Sequence, residues 1–441
     1  MMRAPAFLGK RVLVLGLGDT GLSVARWVQL QGGTPRVADT RNVPPNADRY
    51  TGELLTGPFS SDLLRGVDLV CVSPGLSLRE PLIAEAVRAK IPVVGDVELF
   101  AWQNKTTVLG VTGTNGKTTV AALTGHLLRS AGIDCEVAGN IGPAVLDALM
   151  KRSGPPAVWV LELSSYQLET TSTLKCAAAA VLNVTEDHLD RYAGLDDYAA
   201  AKARIFGGQA VQVLNRDDPR VLAMTLPRRR HVSFGLDQPT SRADFGIRDG
   251  KLVRGSDPIL ELSQLPIHGS HNAANALAAC ALALEAGVSL ETLASGLKTF
   301  KGLPHRLELV AKRRGVEWYD DSKGTNVGAT IAALKGLAKP TILILGGEGK
   351  GQDFSALAPV VASFARRTLL IGRDAALIAT ALAGLPTERC RSLEHAVERA
   401  AACAQAGEVV LLSPACASFD MFRDYKHRGE AFAAAVRKLS T

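Results

Sequence analysis

Short runs of Val, Ile, Leu and Ala alternate along this chain with longer segments of helical hydrophobic period, and most of the apolar runs end near Gly or Ser-Pro. Strand, helix, strand in that order is the pattern of a parallel α/β sheet, whose strands are covered on both faces. In the first hundred residues strands are expected at 11–16, 36–38, 68–72 and 92–94, with an amphipathic helix over 22–30 that stops at Gly32-Gly33. A second block opens with a strand at 107–111, a Gly-rich turn, and a helix whose apolar positions Val120, Leu123, Leu127 and Leu128 share one face. Strands at 157–161 and 178–184 follow, then a helix at 196–206, an Asp249-Gly250 hairpin over 247–252 and an Ala-rich helix at 272–286. From about residue 303, strands at 341–345, 368–371 and 408–412 alternate with helical patterns. No internal repeat or low-complexity linker interrupts the order, so three consecutive α/β domains are expected, at 1–97, 98–302 and 303–441.

Composition narrows the class. The 441 residues are 47% hydrophobic and 21% charged, with 42 Gly and 21 Pro, which excludes a disordered or collagen-like chain and leaves material for more than one core. The longest stretch without a charged residue, 262–284, carries Pro266, Gly269, two His and two Asn, so no membrane span is expected. The apolar run at 12–17 is too short for a signal-peptide core, and a cytoplasmic location is expected. Seven scattered Cys without CxxC spacing read as reduced structural thiols. The net charge of +7 favours anionic ligands, but the patches Arg228-Arg229-Arg230 and Lys312-Arg313-Arg314 read as solvated surface and decide nothing.

The segment Thr112-Gly113-Thr114-Asn115-Gly116-Lys117-Thr118-Thr119 lies between an expected strand and an amphipathic helix, the context of a phosphate-binding loop. Glycines let backbone N–H groups face phosphate oxygens, and the helix N-terminus adds a favourable dipole. Lys117 would meet the β/γ phosphates and the Thr118 hydroxyl would hold Mg²⁺, although position 111 is Val where the full GxxxxGK[ST] pattern has Gly. Glu162 closes the next strand and would reach the same ion. His188 follows a third strand, which puts three strand ends on one sheet edge. Gly16-Leu17-Gly18-Asp19-Thr20-Gly21, with Asp39 closing the following strand, is a dinucleotide fingerprint that leaves the nucleotide open. A nicotinamide oxidoreductase is one rival reading, and a regulatory or nucleic-acid-binding ATPase is another. The third block carries His305-Arg306, Asp320-Asp321-Ser322-Lys323-Gly324-Thr325-Asn326, Gly346-Gly347-Glu348-Gly349-Lys350 and Ser413-Pro414-Ala415-Cys416-Ala417-Ser418, each an ordinary turn when taken alone.

Taken in order, 112–119, 162–165, 183–192, 268–272, 302–308, 320–330, 346–354 and 412–425 resemble the Mur ligase family over nearly the whole chain. The resemblance implies a Rossmann-like first domain, a central P-loop ATPase domain with a parallel sheet, and a Rossmann-like third domain. It implies an amide ligase that uses ATP and two Mg²⁺ to join UDP-N-acetylmuramoyl-L-alanine and glutamate, with no nucleic-acid partner and as a monomer. By resemblance, Gly113, Thr114, Asn115, Gly116, Lys117, Thr118, Thr119, Asn272, Arg306 and Asp321 contact ATP. Thr118 and Glu162 hold one Mg²⁺, while His188 and a carbamylated Lys202 lie at the second. Asp19, Thr20, Asp39, Thr40, Ser73, Asn140 and His188 match nucleotide-sugar contacts, which moves the Gly16–Gly21 turn from NAD to a UDP-sugar. Lys323, Thr325, Lys350, Ser418 and Tyr425 match the D-glutamate pocket. Two positions depart from the family pattern: Asp19, often apolar in relatives, and Tyr425, often Phe. Folylpolyglutamate synthetase, another amide ligase of the superfamily, would not need Asp39-Thr40 or Ser73-Pro74-Gly75 beside a uridine nucleotide.

Overall fold

The computed structural model describes residues 7–187, 191–267 and 269–439. Three sheets follow one another along the chain. The first is wholly parallel, β1 (Arg11–Leu15), β2 (Thr34–Asp39), β3 (Glu53–Thr56), β4 (Leu69–Val72) and β5 (Val93–Val94), in the order β3-β2-β1-β4-β5. The second runs from β6 (Thr107–Thr112) through β7 (Cys135–Gly139), β8 (Val158–Glu162), β9 (Ala178–Val181), β10 (Val211–Asn215), β11 (His231–Phe234), β12 (Phe245–Arg248) and β13 (Lys251–Arg254) to β14 (Asp257–Glu261). Its order is β14-β13-β12-β11-β10-β9-β6-β8-β7, parallel except for the pairs β12–β13 and β13–β14. The expected hairpin forms there, with Asp249 and Gly250 both at positive φ (49° and 73°), as an Asp-Gly type I′ turn requires. The third sheet contains β15 (Glu308–Arg313), β16 (Val316–Asp320), β17 (Thr341–Gly346), β18 (Ala365–Ile371), β19 (Thr387–Arg389) and β20 (Val409–Leu412), ordered β15-β16-β20-β17-β18-β19 with only β15 antiparallel.

Strand β6 lies between β8 and β9, inside the sheet, and from its carboxyl end the later connections diverge to both sides. Open α/β sheets place their ligand crevice at such a point. The helix Lys117–Ser130 continues from it, and Val120, Leu123, Leu127 and Leu128 are all fully buried, as their spacing requires. The helix Ser270–Glu285 packs against it, and its run of small residues (Ala273, Ala276, Ala279, Ala283) allows a close crossing.

The first two sheets share one hydrophobic core, joined by the helix Asp96–Gln103. Phe100 meets Trp159 edge to face, with centroids 5.0 Å apart. The Glu98 carboxylate accepts from the backbone N–H groups of Ser172 (2.7 Å) and Thr173 (2.9 Å) and from Trp102 Nε1 (3.0 Å). Residue 97, the expected end of the first domain, lies inside this helix. All seven Cys are unpaired thiols.

Phe100→Ala should therefore destabilise the chain by about 3–5 kcal/mol in denaturant unfolding, since a fully buried ring facing Trp159 is deleted from a core common to two sheets. A loss below about 1 kcal/mol would show that the two sheets are stabilised separately.

Candidate functional site

The loop 113–116 leaves β6 and ends at Gly116, whose φ of 85° caps the following helix. A side chain at Gly116 would run into Asn275 Oδ1, so this position has both the backbone and the space only glycine fits. Asn183, just beyond β9, holds the loop like a missing strand. Its Oδ1 accepts from Asn115 N (2.8 Å), its Nδ2 donates to Asn115 O (3.1 Å), and its carbonyl accepts from Thr114 N (2.9 Å). The Lys117 ammonium folds back to donate to the carbonyls of Gly113 (2.7 Å) and Thr114 (2.8 Å). Burial pushes its pKa down, and the charges of Glu162 and Asp187 pull it back up.

Glu162 is 1% exposed at the carboxyl end of β8, beside the loop. One of its oxygens accepts from Asn140 Nδ2 at 2.7 Å, while Oε2 is buried with no hydrogen-bond partner. A buried, unpartnered carboxylate oxygen in a cavity that Thr118 also lines is the donor set of a hard cation such as Mg²⁺, so these residues fit one. Lys202 is also 1% exposed. Its ammonium donates to Gly113 O at 3.0 Å, the same oxygen that Lys117 uses, and lies 4.1 Å from the Tyr198 ring centroid. Burial first and the Lys117 charge second hold its pKa well below the usual lysine range. His188 lies outside the described residues.

From the third sheet, Arg306, Asp321, Lys323, Thr325 and Lys350 face the loop across a cavity of about 550 Å³. Gly113 apart, the sequence-predicted loop residues Thr114 to Thr119 line it, as do Asn140, Glu162 and Asn272. Asp321 accepts from Ser413 Oγ (2.7 Å), and burial pushes its carboxyl up to about 7. A second cavity of about 560 Å³ opens towards the first sheet and is lined by Asp19, Thr20 and Tyr425 among others. Thr118, Asn140 and Lys323 line both cavities, so the two meet at these three side chains. The Lys323 ammonium lies 3.9 Å from the Tyr425 ring centroid, and burial, then the Arg306 charge, bring its pKa down to about 8.

Besides Gly113 and Lys202, which lie behind the loop, four expected residues line neither cavity: Asp39, Thr40, Ser73 and Ser418. The Asp39 carboxylate is filled by its own chain. Oδ2 accepts from Leu17 N and Arg41 Nη2 (both 2.7 Å), and Oδ1 from Arg41 N and Nε (both 2.9 Å). Burial alone would raise its pKa, but these donors bring it to about 2. All its lone pairs are therefore engaged, and none is left for the ribose hydroxyl of a dinucleotide. Ser73 Oγ donates to Gly16 O (3.0 Å) and so holds the first Gly-rich turn.

The structure places at the site residues to which the sequence analysis gave no role of their own. Asn183 braces the loop from 68 positions away, and Asp187 lines the first cavity. Asn215, Asp217, Phe234, Leu236, His271 and Asn275 build the part of that cavity under the Ala-rich helix. Their signal was positional, since Asn215 and Phe234 end parallel strands on the loop's edge of the sheet.

Three family models match in order: Mur ligase MurD-like, N-terminal domain over residues 10–95; Mur ligase middle domain over 111–283; and Mur ligase, glutamate ligase domain over 305–416. The chain is 54% identical to the UDP-N-acetylmuramoylalanine–D-glutamate ligase of Nitrosospira multiformis, covering 98% of this chain and 96% of the relative. It is 53% identical to the enzyme of the same name from Thiobacillus denitrificans, covering 98% and 97%. Among solved structures, the fold is similar to a pseudomurein peptide ligase type C from Methanothermus fervidus (TM-score 0.64, 18% identity, covering 98% of this chain and 100% of that one). It is also similar to UDP-N-acetylmuramate-alanine ligase from Thermotoga maritima (TM-score 0.62, 19% identity, covering 97% and 99%).

A lysine with a pKa of about 8 is about half neutral at pH 8, whereas one at the ordinary 10.5 is well under about 1% neutral. Trace labelling with acetic anhydride at pH 8, read by peptide mass spectrometry, should modify Lys323 ahead of exposed lysines, and cavity ligands should protect it. Labelling no faster than that of the exposed Lys90 would contradict this electrostatic picture of the site.

Proposed function

The chain belongs to the Mur ligase family, and from that membership and the site's geometry we infer its reaction: ATP-dependent joining of D-glutamate to UDP-N-acetylmuramoyl-L-alanine, releasing ADP and phosphate in peptidoglycan precursor synthesis. The observation that carries this reading is the common wall of the two cavities, because a terminal phosphate and the carboxylate that accepts it must meet to react. The first cavity takes ATP, with the loop N–H groups and Lys117 on its phosphates and Asn272, Arg306 and Asp321 along the nucleotide. The second takes the UDP-sugar through Asp19, Thr20 and Asn140. Asp39 and Ser73 act there through the backbone of the turn they hold, as the Leu17 N–H and Gly16 carbonyl contacts support, and Thr40 is assigned to the same nucleotide-sugar.

Thr118 and Glu162 would hold Mg²⁺, which would withdraw charge from the γ-phosphate oxygens. His188 and a carbamylated Lys202 would serve a second ion. The Lys202 amine, shifted towards its neutral form, suits addition of CO₂ with loss of a proton, which turns an ammonium into a carboxylate. Lys117 orients the γ-phosphate for in-line attack by the alanyl carboxylate, giving an acyl phosphate and ADP. Closure of the third domain over the loop keeps water from the acyl phosphate. Lys323, Thr325, Lys350, Ser418 and Tyr425 hold glutamate. Its amine, after losing a proton to His188, attacks the acyl carbon and expels phosphate. We place the domain limits at 97/98 and 302/303, supported by the spans of the family models, and the chain in the cytoplasm as a monomer. No helix among the described residues is long and apolar enough to cross a membrane.

Phosphate release with ATP, Mg²⁺ and UDP-N-acetylmuramoyl-L-alanine should require D-glutamate and fail with L-glutamate. Lys117→Ala should lower that rate by about 100-fold or more with its circular dichroism spectrum unchanged. Wild-type release with neither isomer would overturn the reading, and near-normal turnover by the variant would overturn the role given to the loop.

A further inference from the structure

Asn326 stands where the third domain touches the phosphate loop, and no sequence motif gave it a task of its own. It is 6% exposed and makes three hydrogen bonds through one amide. Its Oδ1 accepts from Ala329 N at 2.9 Å and so caps the helix Val327–Leu337. Its Nδ2 donates across the cleft to Asn115 Oδ1 at 3.1 Å and to Asp187 Oδ2 at 3.4 Å. The receiving side is rigid, because both the N–H and the carbonyl of Asn115 are already clamped by Asn183. The third domain also comes close with its backbone here: a Cβ on Gly328 would lie 3.4 Å from Asn115 Nδ2 and 3.5 Å from Thr185 Oγ1.

We propose that Asn326 is the positioning residue that latches the third domain onto the phosphate loop, tying the start of its helix to Asn115 and Asp187. This rests on the ligase reading above and deepens it. Lys323 and Thr325 lie one to three residues before the latch, and Lys117 two residues after Asn115. One amide therefore sets the register between the side chains assigned to glutamate and those assigned to the γ-phosphate. The oxygen of the amide keeps the helix in place, and its nitrogen keeps the two domains in place. Because the two duties fall on different atoms, they can be separated by substitution.

Asn326→Asp keeps the capping oxygen, removes both donors, and sets a carboxylate against Asn115 Oδ1 and the Asp187 carboxylate. Asn326→Ala removes cap and latch together. The expected result is that Asn326→Asp keeps the wild-type melting temperature, while kcat falls by about 10- to 100-fold and binding of an ATP analogue to the enzyme without glutamate changes less than about 3-fold. In X-ray scattering with Mg²⁺, the analogue and UDP-N-acetylmuramoyl-L-alanine, the wild type should be more compact than Asn326→Asp. Wild-type kcat in Asn326→Asp overturns the latch. So does loss of activity that follows melting temperature equally in both variants, since the amide would then be only a helix cap. These outcomes are distinct from failure of the ligase reading, in which the wild type itself would release no phosphate.

Discussion

Two ammonium groups directed at one carbonyl oxygen set the terms for this molecule. Lys117 and Lys202 both donate to Gly113 O, at 2.7 and 3.0 Å, beneath a loop that also directs a helix N-terminus into the same space. Like charges that close, away from bulk water, repel by several kcal/mol at an effective dielectric constant of about 20. Burial adds to this by lowering the pKa of each. The protein answers with Glu162 and Asp187 nearby and with the carbonyls of Gly113 and Thr114, an incomplete compensation, since the pKa of each lysine stays lowered. The site's chemistry follows from that shortfall. Burial and the Lys117 charge shift Lys202 towards its neutral form, and the Lys117 ammonium stays on the carbonyls of Gly113 and Thr114.

The second constraint is one of access. In the proposed reaction one cavity takes ATP and the other the sugar-nucleotide, and a broad opening between them would admit water to an activated acyl group. Among the described residues the two cavities share Thr118, Asn140 and Lys323, contributed by the start of the loop helix, the end of β7 and the third domain. The shared core between the first two sheets makes one firm body of them through Phe100, Trp159 and the Glu98 contacts. The third sheet has its own core residues and reaches the others across the cleft with polar side chains such as Asn326. A firm pair and a polar-docked third domain are what a reaction needs when its substrates enter separately and must then be enclosed.

Much of this was legible in the sequence, for a physical reason. The 113–119 loop needs glycine at a left-handed backbone position, an apolar strand before it and an amphipathic helix after it, and all of these are local. The four apolar positions of the helix Lys117–Ser130 were readable from spacing alone and are fully buried. The position of Glu162 beside the loop follows from its place at the end of a parallel strand. What could not be read locally depends on distant pairings. Asn183 serves Asn115 across 68 residues and Asn326 across 211, and neither has a pattern of its own. Asp39 looked like a ribose ligand because it closes a strand in a dinucleotide-type fold. The neighbouring Arg41 and the Leu17 N–H, which turn the carboxylate inward, are visible only in three dimensions. Residue 97, read as the end of the first domain, falls in the helix Asp96–Gln103, which serves the core of both the first and the second sheet.

The most direct test is a crystal structure of this chain with Mg²⁺ and a non-hydrolysable ATP analogue. The account predicts the β and γ phosphates against the N–H groups of residues 114–119, with Lys117 Nζ moved from the two carbonyls onto a phosphate oxygen and the cation between Thr118 and Glu162 Oε2. A triphosphate bound elsewhere, with Lys117 still on Gly113 and Thr114, would contradict it.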